Sequence, residues 1–148
     1  MKTVAFYTLG CKLNFSETST IKRQLIASGL IESSFNKGAD LFIINTCSVT
    51  ENANKECRRL IRKAKKISPN SKVIITGCYA QLKPESIIKI DGVDLVIGAE
   101  EKFNIFKYLN NFKKGVHGCE INNLDYFPSF SIEERSRSYV KVQDGCNY

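Results

Sequence analysis

The sequence predicts an α/β protein built on an open, mostly parallel sheet with helices on both faces. Three short runs, Val4 to Leu9, Leu41 to Ile44 and Val73 to Ile75, are apolar on consecutive residues and rich in β-branched or aromatic side chains. Strands buried on both faces of a parallel sheet read this way. Each run is followed by a stretch with helix start signals and helical spacing, and such alternation brings parallel strands joined by right-handed crossovers. With 148 residues and 43% hydrophobic content, the chain suits one domain whose core fills without staples.

Val4 to Leu9 opens the chain as a strand. After Cys11, Asn14 is placed to cap a helix with Glu17 three residues on; Ile21, Leu25 and Ile26 form its buried side and Gly29 stops it. A polar link through Ser33, Ser34, Asn36 and Gly38 reaches the second strand, Leu41 to Ile44. Ser48 and Glu51 have capping-box spacing directly after Cys47 and open a long helix that Pro69 and Asn70 close. Within it Ala53, Cys57, Leu60, Ala64 and Ile67 recur at spacings of four and three, which predicts a buried stripe. The third strand, Val73 to Ile75, ends at Gly77-Cys78. Gln81 through Ile90 reads as another helix, with Pro84 tolerable near its first turn. Val93 to Ile97 reads as a fourth strand and Asn104 to Phe112 as a final helix. These elements place an α/β domain over residues 1–113, of the three-layer kind that Rossmann-like and flavodoxin-like proteins share. Gly115, Gly118, Asn122, Asn123 and Pro128 mark a connector over 114–137. The alternation from Ser138 to Val142 starts a new strand, at the threshold of a further domain over 138–148.

All three strong strands run into a cysteine: Cys11, Cys47 and Cys78. Parallel strands bring the three thiols to one edge, where open α/β sheets bind their ligands. Each thiol stands between a strand end and a helix start, where free N–H groups and the helix dipole favour the thiolate that binds metal. The same amides can hydrogen-bond cluster sulfides. Three convergent cysteines suggest a metal centre: zinc with one open position, or a four-iron cluster whose fourth iron is free. Spacing does not choose between them, and the bland alternative is three buried residues at strand ends. Cys57 lies on the apolar stripe and reads as core. Cys119, two residues from His117, reads as structural or surface.

A net charge of +7 favours an anionic partner, of which nucleic acid is the commonest for a basic domain. The long helix carries Lys55, Arg59, Arg62 and Lys66 on its polar side, with Arg58, Lys63 and Lys65 beside them. Such a face is solvated, and it can also touch a phosphate backbone. One histidine in the chain excludes a histidine-rich zinc site. No run approaches the roughly 18 apolar residues of a membrane span, and Met1-Lys2-Thr3 leads straight into a strand rather than a signal segment. The expectation is a cytoplasmic protein without membrane contact, where clustered cysteines bind metal or do chemistry rather than form disulfides.

Three segments, Thr8-Leu9-Gly10-Cys11-Lys12-Leu13-Asn14, Asn45-Thr46-Cys47-Ser48-Val49-Thr50 and Thr76-Gly77-Cys78-Tyr79-Ala80-Gln81, resemble ordered motifs of the amino-terminal domain of radical S-adenosylmethionine methylthiotransferases. The resemblance covers essentially the whole chain. It implies that Cys11, Cys47 and Cys78 hold an auxiliary [4Fe-4S] cluster. The stretch from Tyr139 to Tyr148 resembles the start of the family's radical domain, with Cys146 matching the first cysteine of its Cys-x-x-x-Cys-x-x-Cys loop. That loop holds the second [4Fe-4S] cluster. Its other two cysteines would fall beyond Tyr148, which implies a fragment that lacks the S-adenosylmethionine-binding barrel and is not active alone.

Around the first cysteine, Leu-Gly-Cys-Lys-Leu-Asn is similar to the enzymes that methylthiolate N6-threonylcarbamoyladenosine at position 37, in the anticodon loop of tRNA. Enzymes acting on isopentenyladenosine or on a ribosomal-protein aspartate usually differ at the positions of Lys12 and Leu13. The resemblance further implies that the Cys146 cluster cleaves S-adenosylmethionine to a radical that takes hydrogen from C2 of the modified adenine. The cluster on Cys11, Cys47 and Cys78 presents the sulfur, whose donor is left open. Asn14, Thr46 and Thr76 stand beside the ligands as capping or hydrogen-bonding candidates, with capping preferred for Asn14. The rival readings are a non-enzymatic basic α/β domain that binds RNA and a zinc or redox-thiol α/β domain.

Overall fold

The computed structural model describes residues 1–47, 51–120, 126–132 and 138–142. Six strands form one parallel sheet in the order β2-β1-β3-β4-β5-β6. They are β1 (Thr3–Thr8), β2 (Ile31–Glu32), β3 (Leu41–Thr46), β4 (Lys72–Gly77), β5 (Leu95–Ile97) and β6 (Gly115–His117). The chain steps outward from β1 to β2, returns past β1 to β3, and then proceeds to the other edge. The winding therefore reverses between β1 and β3, and it is at such a switch point that the loops diverge and leave a crevice.

Alternate residues of the central strands serve two cores, as a pleat requires. Phe42, Ile44, Val73, Ile75 and Val96 meet Cys57, Leu60, Ile61 and Ala64 of α2 (Glu51–Ile67), together with Tyr79, Ala80 and Ile87 from α3 (Cys78–Leu82) and α4 (Pro84–Ile88). On the other face Leu41, Ile43, Ile74, Leu95 and Ile97 meet Ile21 and Leu25 of α1 (Lys12–Ala27) and Ile105 of α5 (Ile105–Leu109). The predicted three-layer α/β architecture is the one observed. No helix among the described residues is long and apolar enough to cross a membrane.

Several elements differ from expectation for physical reasons. The helix expected over Gln81 to Ile90 is two short ones, because Pro84 drives Lys83 to φ −137°, ψ 51° and breaks the turn. The helix expected from Asn104 begins instead as a 3-10 turn over Lys102–Asn104. The sheet runs past residue 113, because Gly115–His117 adds β6 beside β5. Helix α1 starts at Lys12 with Cys11 as its N-cap residue, so Asn14 sits inside the first turn and does not cap it. Ser48 lies outside the described residues, as does Cys146.

Residues 126–132 and 138–142 lie against α1. Ser131 N–H donates to Tyr139 O at 2.9 Å and Lys141 N–H to Ser129 O at 2.8 Å, with an antiparallel bridge between Phe130 and Val140. Ser16 and Ser129 hydroxyls meet at 3.0 Å, and Arg23 donates to Phe130 O at 2.7 Å while lying over its ring. This cover explains why Ser16, Glu17, Thr18, Ser19 and Thr20 are buried although α1 has no apolar residue there.

Candidate functional site

The strand register places the three cysteines. The β3–β4 ladder ends at Thr46 opposite Gly77, so Cys47 and Cys78 leave the sheet side by side. The β1–β3 ladder ends at Thr8 opposite Asn45, and Leu9 N–H adds one rung to Asn45 O at 2.8 Å. Gly10 then falls beside Cys47, and Cys11 stands one residue further out. A methyl group on Gly10 would come within 2.7 Å of Cys47 Cβ and 3.2 Å of Cys47 Sγ. One on Gly77 would stand 2.4 Å from Thr46 O and 2.3 Å from Asn45 Oδ1. Both glycines have positive φ, 110° and 95°, so the backbone turns out of the sheet while staying close to its neighbour.

Cys11 and Cys78 are exposed and Cys47 is half-buried. Burial pushes the Cys78 thiol up from its ordinary range, and the charges of Cys47, Cys11 and then Glu17 push it further, with Lys102 opposing. The three thiols thus feel one another across the edge. Helix α3, which begins at Cys78, has only five residues and so a short dipole to set against these effects. Metal loading at this edge would have to expel the proton.

A polar scaffold lies beneath the thiols. Asn14 and Asn45 are buried side chains. Asn14 Nδ2 donates to Leu9 O at 2.8 Å and to Thr46 O at 3.2 Å, while Asn45 Nδ2 donates to Asn14 O and to Thr18 Oγ1, both at 3.1 Å. Thr46 Oγ1 donates to Thr76 O at 2.7 Å. Asn45 Oδ1 and Thr76 Oγ1 are buried and have no hydrogen-bond partner among the described residues, so polar groups stand directly under the cysteine edge. Deeper still, Glu17 accepts from Lys102 Nζ at 2.6 Å and pairs with Lys141 Nζ at 3.6 Å, all three side chains being buried. Pattern reading missed this ion cluster, whose members are remote in sequence.

The remaining cysteines sort as the periodicity suggests. Cys57 is fully buried in the α2 core, and its thiol is pushed up to about 12 by burial. Cys119 is half-buried, with Sγ 3.6 Å from Ala80 O and from His117 O. Among the described residues no three His, Cys, Asp or Glu side chains are gathered as they would be around a single metal ion. A polynuclear cluster makes a different demand, since each of its corner irons takes its own thiolate. Three sulfur donors on neighbouring strands, with two glycines letting the loops approach, would suit that demand, and Cys11, Cys47 and Cys78 are the residues that would hold such a cluster.

On α2, Lys55, Arg58, Arg62 and Lys66 are exposed, while Arg59 is committed to Glu56 at 2.5 Å and Lys65 to Asp94 at 2.9 Å. The helix begins four residues after Cys47 and carries these cations away from the cysteine edge.

The model of the uncharacterized protein family UPF0004 matches residues 3–98. A threonylcarbamoyladenosine tRNA methylthiotransferase MtaB of Bacillus subtilis is 36% identical over 99% of this chain and 34% of its own length. The Aquifex aeolicus protein of the same name is 39% identical over 97% of this chain and 37% of its own. A ribosomal protein uS12 methylthiotransferase RimO of Prochlorococcus marinus is 31% identical over 98% and 32%. The chain spans about a third of the length of these curated relatives.

Proposed function

The chain belongs to the UPF0004 family, the amino-terminal domain of methylthiotransferases, and on that premise we propose that it is the sulfur-presenting domain of a tRNA methylthiotransferase. The substrate proposed is N6-threonylcarbamoyladenosine at position 37 of tRNA, converted to its 2-methylthio derivative. The single observation that carries the proposal is the placement of Cys11, Cys47 and Cys78 at the ends of the adjacent strands β1, β3 and β4, over the switch point. A [4Fe-4S] cluster bound by these three thiolates would supply an iron without a protein ligand, at which a sulfur can be offered to substrate. S-adenosylmethionine and a second [4Fe-4S] cluster, the latter with Cys146 as one ligand, belong to the complete enzyme; this chain alone is proposed to be inactive.

The residues of this chain have distinct tasks in that scheme. The three thiols supply charge and geometry, Gly10 and Gly77 remove the bulk that would part the loops, and the Asn14 and Asn45 amides brace the loops from below. Lys12 and Leu13, the positions that favour threonylcarbamoyladenosine, both line a cleft of about 420 Å³ between α1 and residues 138–142. Their place next to Cys11 supports contact with a substrate brought to the edge. The exposed cations of α2 support a phosphate-backbone contact with tRNA.

Anaerobic reconstitution with iron and sulfide quantification and Mössbauer spectroscopy tests the reading. About four irons and four sulfides per chain are expected, lost when Cys11, Cys47 and Cys78 are all replaced by Ala and retained in Cys57→Ala and Cys119→Ala. Unchanged iron in the triple variant would refute the assignment.

A further inference from the structure

We infer that Asn14 is a positioning residue that sets the separation of Cys11 from Cys47; the inference rests on the reading of these cysteines as one donor set. Asn14 is the third residue of α1 and its side chain is 1% exposed. In the first turn of a helix a side chain leans back toward the N-terminus, here toward the loops that leave the sheet. Its amide nitrogen has two hydrogens, and each meets one carbonyl: Leu9 O at 2.8 Å, on the chain leaving β1, and Thr46 O at 3.2 Å, at the end of β3.

These carbonyls belong to strands that part company at the switch point. The last backbone rung is Leu9 N–H to Asn45 O. Beyond it one loop turns into α1 on one face of the sheet and the other leads to α2 on the opposite face. The Asn14 amide spans that divergence two residues before Cys11 and one before Cys47. Gly10 lies in the same space, its missing Cβ 3.0 Å from Asn14 Nδ2 and 2.7 Å from Cys47 Cβ. The staple is itself held, because Asn14 O accepts from Asn45 Nδ2 at 3.1 Å and from Thr18 Oγ1 at 2.8 Å. Both partners of the amide nitrogen are acceptors, so the position requires two donors on a short arm, while the amide oxygen faces Cys11 Sγ at 4.0 Å. Asp would set a carboxylate against two carbonyls, and Ala would leave them without this partner.

The Cys11–Cys47 disulfide equilibrium of the apo chain against glutathione reads that separation directly, without iron, sulfide or turnover. The chain carries Cys78→Ser, Cys119→Ser and Cys146→Ser so that Cys11 and Cys47 are the edge thiols left. Asn14→Ala and Asn14→Asp are each expected to lower the equilibrium constant about tenfold, the scale of losing two hydrogen bonds. For the Cys47–Cys78 pair, read with Cys11→Ser in place of Cys78→Ser, the same replacements are expected to change it less than about twofold, because Asn14 does not span that pair. Should Asn14→Ala fail to fold by circular dichroism, the near-isosteric Asn14→Asp carries the comparison. An equal loss for both pairs would mean general loosening and overturn the inference, as would no loss in either. If neither pair forms a disulfide in the parent chain, the three-cysteine donor set falls and takes the inference with it. If both pairs form and neither Asn14 variant shifts Cys11–Cys47, the inference alone falls.

Discussion

Replacing Gly77 by Ala, set beside the same change at Gly29, isolates how closely the end of β4 is pressed on β3. Both glycines have φ near +100°, 95° and 100° respectively, so an added methyl is strained at each, by about 1–3 kcal/mol for a residue held in a sparsely populated region. Their surroundings differ. At Gly29, just past α1, the methyl would meet nothing within 4 Å. At Gly77 it would lie 2.3 Å from Asn45 Oδ1, 2.4 Å from Thr46 O and 2.7 Å from Thr46 N. Two of those atoms are strand backbone and cannot swing aside. Overpacking adds about 1–3 kcal/mol, which brings Gly77→Ala to about 2–6 kcal/mol and leaves Gly29→Ala at the backbone cost alone. Urea unfolding followed by circular dichroism gives both values from the midpoints at constant m. The strain falls between Thr46 and Cys78, so iron content after reconstitution should drop in Gly77→Ala and not in Gly29→Ala. Equal destabilisation by the two substitutions would refute the claim that β4 approaches β3 this tightly.

Glu17→Gln removes the carboxylate that Lys102 and Lys141 share, and breaking a buried pair from one side costs about 3–5 kcal/mol; a urea midpoint within error of wild type would contradict the role given to that cluster. For Cys57, held up to about 12 against an ordinary 9.0, the unfolded thiol ionises first as pH rises, so stability is full below pH 9 and declines above it. The decline from this group reaches about 1.4 kcal/mol at pH 10, and the difference in alkaline slope between wild type and Cys57→Ala measures it. In a full-length protein, Arg62→Glu with Lys66→Glu should weaken tRNA binding and flatten its salt dependence by roughly one unit of slope for each phosphate no longer neutralised. Filter binding across a salt series that shows the same slope would remove α2 from the tRNA surface.

Much of the fold was legible because β1, β3 and β4 are buried on both faces and are written as unbroken apolar runs. Strand β2 was not, since Ile31 and Glu32 are only two residues and both are exposed. Strand β6 escaped because Gly-Val-His shows neither alternation nor a run. The place of the three cysteines, at one edge of the sheet, could be read from where strands end. Their support could not, for two physical reasons. Asn14 looks like a cap by its spacing to Glu17, yet the helix starts earlier and both side chains turn inward, one to backbone carbonyls and one to lysines. The polar face from Ser16 to Thr20 reads as solvated until residues 126–132 and 138–142 are laid over it, and no local pattern announces a cover so distant in sequence.

The same topology bears on why the proposed donor set stops at three. Strand β5 lies next to β4, and its end, Gly98-Ala99, points toward the same edge of the sheet as the cysteines. A side chain there has no room: a methyl on Gly98 would stand 2.1 Å from Gly118 O and 2.7 Å from Cys119 Cα. That space is taken because β6 pairs with β5 and Gly98 N–H donates to His117 O at 2.8 Å, which draws Gly118 and Cys119 across the strand end. Gln81 ties the arrangement down, accepting from Ala99 N–H at 2.7 Å and donating to Cys119 O at 2.8 Å. On the other flank, β2 ends in the exposed Glu32 and the polar Ser33. Strand β6 itself leads to Cys119, whose half-buried thiol is turned to Ala80 O and His117 O, 3.6 Å from each. A sulfur-presenting centre needs a position the protein does not ligate, and in the proposed arrangement the further thiol that β6 brings, Cys119, is occupied with those carbonyls.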